Sequence, residues 1–483
     1  MPLRRADSVK ETPVEESHQR PSKGRQTVIV AGATGFLGSA IGEALGHQHH
    51  LIALSRSRRA PPEGYQSLRT VDLFSRRDTG AALAGADMAI YLVHSMMPAA
   101  RLVQAHFRDL DLLCADNFAR AAAAHGVRHI IYVSGLIPAV EQLSAHLESR
   151  LEVERVLGQY GVPVTALRAG LVVGANGSSF QILTRLVRRL PVMVCPSWTN
   201  TRTQPVALDD VVTVIGAVLA SPGEVSHSYD LGADEVLTYR ELMAETARLM
   251  GLTPRMVSVP ILSPKLSYLW VCLTTGAPGA LVAPLIESLA HEMVARTDPA
   301  HRHPADPKTS VEDMLKRAFA TTAAGTPLAF RGGGRQSSAS TVLSVQRMKI
   351  ADGLGSDFAA DEYLRWLPGG LGLIPISVST KADRIEFSVL KKSAPLLLLQ
   401  RRTLDDAENR EVFRVVGGML AKETERGRLE FRTMLDGRTL LVGVHEFEPR
   451  LPWWIYRVTQ AWFHRWVMYR FARHLEGVET PRG

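Results

Sequence analysis

Val28-Ile29-Val30-Ala31-Gly32-Ala33-Thr34-Gly35-Phe36-Leu37-Gly38 is the stretch on which the reading of this chain turns. An apolar run enters three glycines spaced Gly-x-x-Gly-x-x-Gly, and an apolar-periodic segment from Leu37 to Gly46 follows. A strand that turns sharply into a helix needs small residues at these places. Gly32 permits the tight turn, Gly35 lets the backbone approach a diphosphate, and Gly38 allows close packing of helix on strand. The first amides of the helix are then left to hold an anion. Gly32, Gly35 and Gly38, with Thr34, Phe36 and Leu37 between them, form the expected dinucleotide cradle.

Working outward, short apolar runs recur at Leu51 to Leu54, Met88 to Val93, His129 to Val133 and Val164 to Arg168. Helical candidates lie between them at Leu37 to Gly46, Asp111 to His125 and Leu147 to Gln159. This alternation predicts a parallel sheet, doubly wound in the Rossmann manner. The fold class expected is therefore α/β for residues 26–300. Residues 1–25 read as a disordered tail, and 301–338, rich in proline and then glycine around one short helix, as a linker. Beyond it, 339–478 reads as an α+β domain of antiparallel strands, with a short helix at Ala359 to Trp366 and a long one from Pro452 to Leu475. A helix-grip arrangement with an apolar cavity is expected there.

The chain has 483 residues, 46% of them hydrophobic, a net charge of +8 and three cysteines. That length calls for about two domains. Cys114, Cys195 and Cys272 have no paired spacing, and His47, His49, His50, His301 and His303 lack the carboxylate or cysteine neighbours of a zinc site. No metal is expected. The basic residues are scattered among acids, which argues against nucleic-acid binding. The start of the chain lacks an apolar signal segment, so a cytoplasmic protein is expected.

After the second strand, Arg56, Arg58 and Arg59 stand where an enzyme preferring NAD carries an acid, which favours NADP over NAD. Asp72, after the third, is placed to meet the adenine amino group. With Tyr91-Leu92-Val93-His94, Ile131-Tyr132-Val133-Ser134-Gly135, His146-Leu147-Glu148-Ser149-Arg150 and Leu167-Arg168-Ala169-Gly170, the chain resembles the atypical extended short-chain dehydrogenases/reductases, the NmrA-like and nucleoside-diphosphate-sugar epimerase-like proteins. Leu190-Pro191-Val192-Met193 and Thr201-Arg202-Thr203-Gln204-Pro205 are similar to a bacterial subgroup that adds a C-terminal domain of unassigned function. The resemblance implies cofactor contacts from Val93, His94, Ala169 and Gly170. It also implies that Ser134 polarises a substrate oxygen.

One departure limits the chemistry. Relatives use Tyr-x-x-x-Lys, but no lysine occurs between Lys23 and Lys265, and His146-x-x-x-Arg150 stands in its place. His146 is then the candidate acid/base and Arg150 the ribose anchor, against a second reading in which both lie on a helix surface. Arg202 is a candidate for holding a polar substrate group, or else half of an ion pair.

The uncharged stretch Leu266 to Ile286 carries two glycines and two prolines, and reads as a lid over a cleft rather than a membrane span. In the C-terminal helix, Trp454, Val458, Trp462, Trp466 and Tyr469 make an aromatic stripe. It is expected to fill the grip of the sheet, with peripheral contact at the inner face of a membrane as the other reading. The expected function is an NAD(P)-dependent oxidoreductase of an apolar carbonyl or alcohol compound. The alternatives are a non-catalytic NAD(P) sensor or assembly protein, like NmrA-like regulators or the accessory subunit of respiratory complex I, and a lipid-type binding module. The oligomeric state stays open.

Overall fold

The computed structural model describes residues 25–94, 102–259, 264–322, 341–372, 374–389, 394–402, 409–435 and 437–478. The expected tail, apart from Arg25, and the glycine run at 332–334 lie outside these residues. In chain order the first elements are β1 (Thr27–Ala31), α1 (Phe36–Leu45), β2 (His50–Ser55), β3 (Ser67–Thr70), α2 (Arg76–Leu83), β4 (Met88–Tyr91) and β5 (Leu102–Gln104). Next come α3 (Phe107–Ala124), β6 (His129–Gly135), α4 (Ala145–Leu157) and β7 (Val164–Ala169).

Six of these strands and His227–Leu231 form a seven-stranded parallel sheet in the order β3-β2-β1-β4-β6-β7-His227–Leu231. The order reverses between β1 and β4, so a crevice opens beyond their carboxyl ends. Side chains alternate between the two faces of each strand. Val28, Val30, Leu51, Ala53 and Ile90 pack with Ile41 and Leu45 of α1 and with Val211 and Ile215 of helix Leu208–Ala220. Ile29, Ile52, Ala89, Tyr91 and Tyr132 face Leu112, Ala115, Phe118 and Ala119 of α3.

A second, mostly antiparallel sheet is built from Ser377–Lys381, Arg384–Ser388, Leu397–Arg402, Arg410–Gly417, Arg428–Met434, Thr439–Phe447 and Val342–Lys349, in that spatial order. β5, from the first half of the chain, adds to its edge in parallel with Val342–Ser344. One face carries Leu343, Val345, Met434 and Leu441 onto the α3 layer, inside the same core that the parallel sheet uses. Its other face carries Phe413, Phe431 and Val442 onto Tyr363 of helix Ser356–Gly370 and Phe471 of helix Gln460–Leu475. The result is five layers: helices, parallel sheet, helices, antiparallel sheet, helices.

Three expectations change. The first part of the presumed linker is packed structure, because Val311, Met314, Leu315 and Ala318 of helix Val311–Thr322 are buried against Phe180, Leu183 and Leu242. The long last helix is two, Trp453–Val458 and Gln460–Leu475, separated at Thr459. Of the aromatic stripe only Trp466 packs toward the sheet: Trp454, Val458, Trp462 and Tyr469 are exposed, and the buried side is Tyr456, Ala461, Val467, Met468, Phe471 and Leu475. The break at Thr459 places a different set of apolar residues against the sheet.

Candidate functional site

The cradle has the geometry that its glycines imply. Gly32 has φ +93°, a left-handed value that a side chain resists. A Cβ on Gly38 would lie 2.4 Å from the Gly32 carbonyl oxygen. The Gly35 amide donates to that same carbonyl at 2.9 Å, closing the turn. Gly35 is the N-cap of α1, and no side chain caps the helix there. The Tyr65 hydroxyl donates to the Gly38 carbonyl at 2.6 Å and pins the loop from behind. Thr34 and Leu37 are partly buried, and the Phe36 ring packs where a Cβ on Gly174 would meet it at 2.8 Å.

Around this loop, the carboxyl ends of the parallel strands bring the other residues to one edge. Arg56 follows β2 and Asp72 follows β3, both exposed. Asp72 accepts the Phe74 amide at 3.1 Å. Val93 and His94 follow β4, Ser134 lies near the end of β6, and Ala169 closes β7. Gly170 answers a nearer need, since a Cβ there would stand 2.1 Å from the Gln204 carbonyl. Arg202 does not face this edge as a free cation. Its guanidinium is held by both oxygens of Glu292 at 2.8 and 2.6 Å, with both side chains exposed.

His146 and Arg150, one turn apart on α4, share a face and turn inward. Ser144 caps the helix by accepting the Leu147 amide at 3.3 Å. Arg150 is buried, and its Nη2 donates to Asp111 Oδ2 and to His94 Nδ1, both at 2.6 Å. His94 Nδ1 also lies 3.1 Å from Asp111 Oδ2, so that one ring nitrogen faces both members of the ion pair. Arg150 is thus a buried brace between α3, α4 and the loop after β4, rather than a free ribose anchor. The rings of His94 and His146 lie 5.3 Å apart, and Phe107 stands 6.3 Å from His146.

Burial, then the charge of Arg150 and the neighbouring His94, push the His146 pKa down to about 3. Burial and Arg150 lower that of His94 as well, against the pull of Asp111. His146 is therefore neutral at physiological pH, and the expected proton shuttle near neutrality is not what its surroundings favour. A neutral imidazole still donates a hydrogen bond. Among the described residues, His94 Nε2 and His146 Nδ1 are buried without partners. Ser134 lies beside the Tyr132 hydroxyl, which donates to the Arg150 carbonyl at 3.4 Å.

The uncharged stretch lies beside the start of α4. Helices Pro264–Thr275 and Gly279–Ser288 form a hairpin about Gly276, which has φ +70°. Val271, Ala277, Val282 and Ile286 are buried within it. Ser288 Oγ lies 3.2 Å from Ser144 Oγ, which sets the end of the hairpin against the start of α4, two residues from His146. Sequence reasoning missed Asp111 and Phe107. The available signal was the acids Asp109, Asp111 and Asp116 in a helix whose buried residues are mostly apolar.

Among known proteins, a model of the NmrA-like family matches residues 24–273, about half of the chain. The auxiliary protein GraX of Staphylococcus aureus is 30% identical over 141 residues, 28% of this chain and 42% of that one. The mitochondrial NADH dehydrogenase [ubiquinone] 1 alpha subcomplex subunit 9 of Arabidopsis thaliana is 25% identical over 242 residues, 48% of this chain and 60% of that one. The chain thus spans less than two thirds of the length of either relative. A solved nucleoside-diphosphate-sugar epimerase from Staphylococcus aureus is 18% identical, with a TM-score of 0.49 over 60% of this chain and all of the other.

Proposed function

The chain belongs to the NmrA-like family, and we propose that it binds a nicotinamide dinucleotide on the Gly32–Gly38 loop and reduces an apolar carbonyl compound beside Ser134 and His146. The observation that carries this reading is the uncapped start of α1, in a turn too tight for a side chain at Gly38, at the same sheet edge as a neutral His146 whose Nδ1 is buried without a partner among the described residues. The amides of Phe36 and Leu37 are placed to hold a diphosphate. Arg56, beyond β2, favours a 2'-phosphate and hence NADP over NAD.

When bound, such a cofactor supplies a hydride. The chain's own part is to hold and polarise the acceptor. The Ser134 hydroxyl and the His146 N–H donate hydrogen bonds to the substrate oxygen as negative charge develops on it. A histidine with a depressed pKa polarises as imidazole and gives up no proton of its own. Water delivers the proton that completes the alcohol. Arg150 is a positioning residue, because its charge adds to burial in keeping His146 neutral and its bonds fix His94 and Asp111. The apolar hairpin beside the start of α4 matches an apolar substrate.

A second reading, binding without turnover, is favoured by the bracing of Arg150 against Asp111, which removes the usual ribose contact. The relative in Arabidopsis is named as a subunit of NADH dehydrogenase, a component of a larger assembly. Calorimetric titration of the full chain with NADPH and NADH, followed by turnover assays on a panel of apolar quinones, aldehydes and ketones, separates the two. Reduction that weakens at least about tenfold in both Ser134→Ala and His146→Ala supports the enzyme. Tight binding with no turnover of any acceptor supports the second reading, and failure to bind either nucleotide overturns both.

A further inference from the structure

We propose that the exposed face of the helix pair Trp453–Val458 and Gln460–Leu475 docks on an anionic lipid bilayer. Trp454, Val458, Trp462 and Tyr469 are 71%, 64%, 65% and 64% exposed, and their spacing of four, four and seven residues makes one stripe across the break at Thr459. The pair already meets its structural need on the opposite side, where Tyr456, Val467, Met468 and Phe471 are buried against the sheet. Nothing in the fold calls for two tryptophans in water. Tryptophan and tyrosine combine an apolar ring with a polar edge, the chemistry that settles at the level of lipid headgroups.

Charge selects the occupant. Residues 449–475 hold five arginines and not one aspartate or glutamate. Arg457 and Arg465 are exposed beside the stripe, and neither forms an ion pair among the described residues. A second copy meeting this face across a two-fold axis would set arginine against arginine, whereas anionic phosphates attract both rows. The contact is peripheral, since among the described residues no helix is long and apolar enough to cross a membrane.

The place of the face adds to the case. Gln104 of β5 donates to the Ala461 carbonyl at 3.1 Å, tying the helix pair to the strand that follows residues 95–101, and these follow His94. The helix pair is thereby tied to a strand from the first half of the chain. The docking rests on the helix face alone. Only its use, presenting a bilayer-dissolved acceptor to the site, rests on the proposed reductase.

Flotation of the full chain with vesicles tests it. Binding is expected to phosphatidylcholine vesicles containing phosphatidylglycerol, and to weaken steeply with added salt and without the anionic lipid. Trp454→Ala with Trp462→Ala, and separately Arg457→Glu with Arg465→Glu, should each weaken binding at least about tenfold while the far-ultraviolet circular dichroism and melting temperature stay unchanged. Quenching of the wild-type tryptophan fluorescence by brominated lipid reads the same contact with no substitution. Absence of flotation or of quenching at low salt overturns the proposal. So does retention of full binding by both folded variants. A dimer that the tryptophan variant dissolves, with no vesicle binding, assigns the face to a second copy instead. Loss of flotation with NADPH turnover intact leaves the reductase reading standing, and the reverse result sinks that reading alone.

Discussion

Gly38 is the residue at which the cradle tolerates least, because backbone lies where a methyl group would go. Gly38→Ala is expected to cost roughly 1–3 kcal/mol of stability through overpacking and to remove nucleotide binding. Chemical denaturation and calorimetry check the two effects. At His146 the consequence is pH dependence. Its pKa falls from 6.5 in the unfolded chain to about 3 in the fold, so below pH 6.5 the unfolded state takes up a proton that the native state refuses. Stability from this group is whole above pH 6.5 and is lost progressively as pH falls toward 3. The loss should approach about 1.4 kcal/mol per pH unit at its steepest. His146→Asn should flatten the fall in unfolding free energy between pH 6.5 and 4, while His94 and His445, shifted the same way, leave part of it. A slope unchanged in His146→Asn would show that the histidine is not held neutral. Neither effect could be read from the chain, since the neighbours that set it, Arg150 and His94, come from different elements.

At the scale of elements, α4 carries His146 and Arg150 and its start needs a cap. Ser144 supplies it and also meets Ser288 of the apolar hairpin. Ser144→Ala should cost about 1 kcal/mol, near the usual value for such a cap. Turnover of an apolar acceptor should drop further than stability does, because the hairpin loses its hold on the site; parallel melting and kinetic measurements would show it. The existence of α4 was legible from periodicity, and so was its pairing of His146 with Arg150 on one face. The inward turn of that face was not, because two candidate stripes of one helix look alike until a neighbour picks one. The same ambiguity misassigned the C-terminal aromatic stripe. Trp466 and Phe471 serve the core, while Trp454 and Trp462, just as apolar, do not.

At the scale of the molecule, the two halves share a buried polar seam. Arg432, 1% exposed, donates to Asp116 Oδ2 at 2.6 Å, to Asn117 Oδ1 at 2.8 Å and to Glu430, which Arg410 also holds. Although burial pushes the Glu430 carboxyl up, Arg432, Arg410 and Arg428 hold it well below the usual range. Beside this, Arg347 donates to Asp109 at 2.7 Å and to both oxygens of Glu152 at 2.6 and 2.8 Å. Arg432→Ala would remove the cation that Asp116 and Glu430 share, leaving the first to Arg120 and Tyr160 and the second to Arg410 and Arg428, and should cost about 3 kcal/mol and lower the melting temperature of both halves together. Two separate transitions in calorimetry, with only one moved, would contradict a shared core.

Local pattern determined much of this protein. The glycine spacing after an apolar strand and the alternation of strands with helices depend on neighbours within a few residues, and they set the parallel sheet and the nucleotide cradle. The run of strands beyond residue 340 did the same for the antiparallel sheet. Tertiary structure alone decided which faces of those elements are buried. It added β5 to the far sheet, packed helix Val311–Thr322 into the first half, locked Arg150 onto Asp111 and left two tryptophans in solvent. The reason is range: burial and charge pairing join residues hundreds of positions apart, such as Asp116 and Arg432, and no periodicity within either segment encodes its partner.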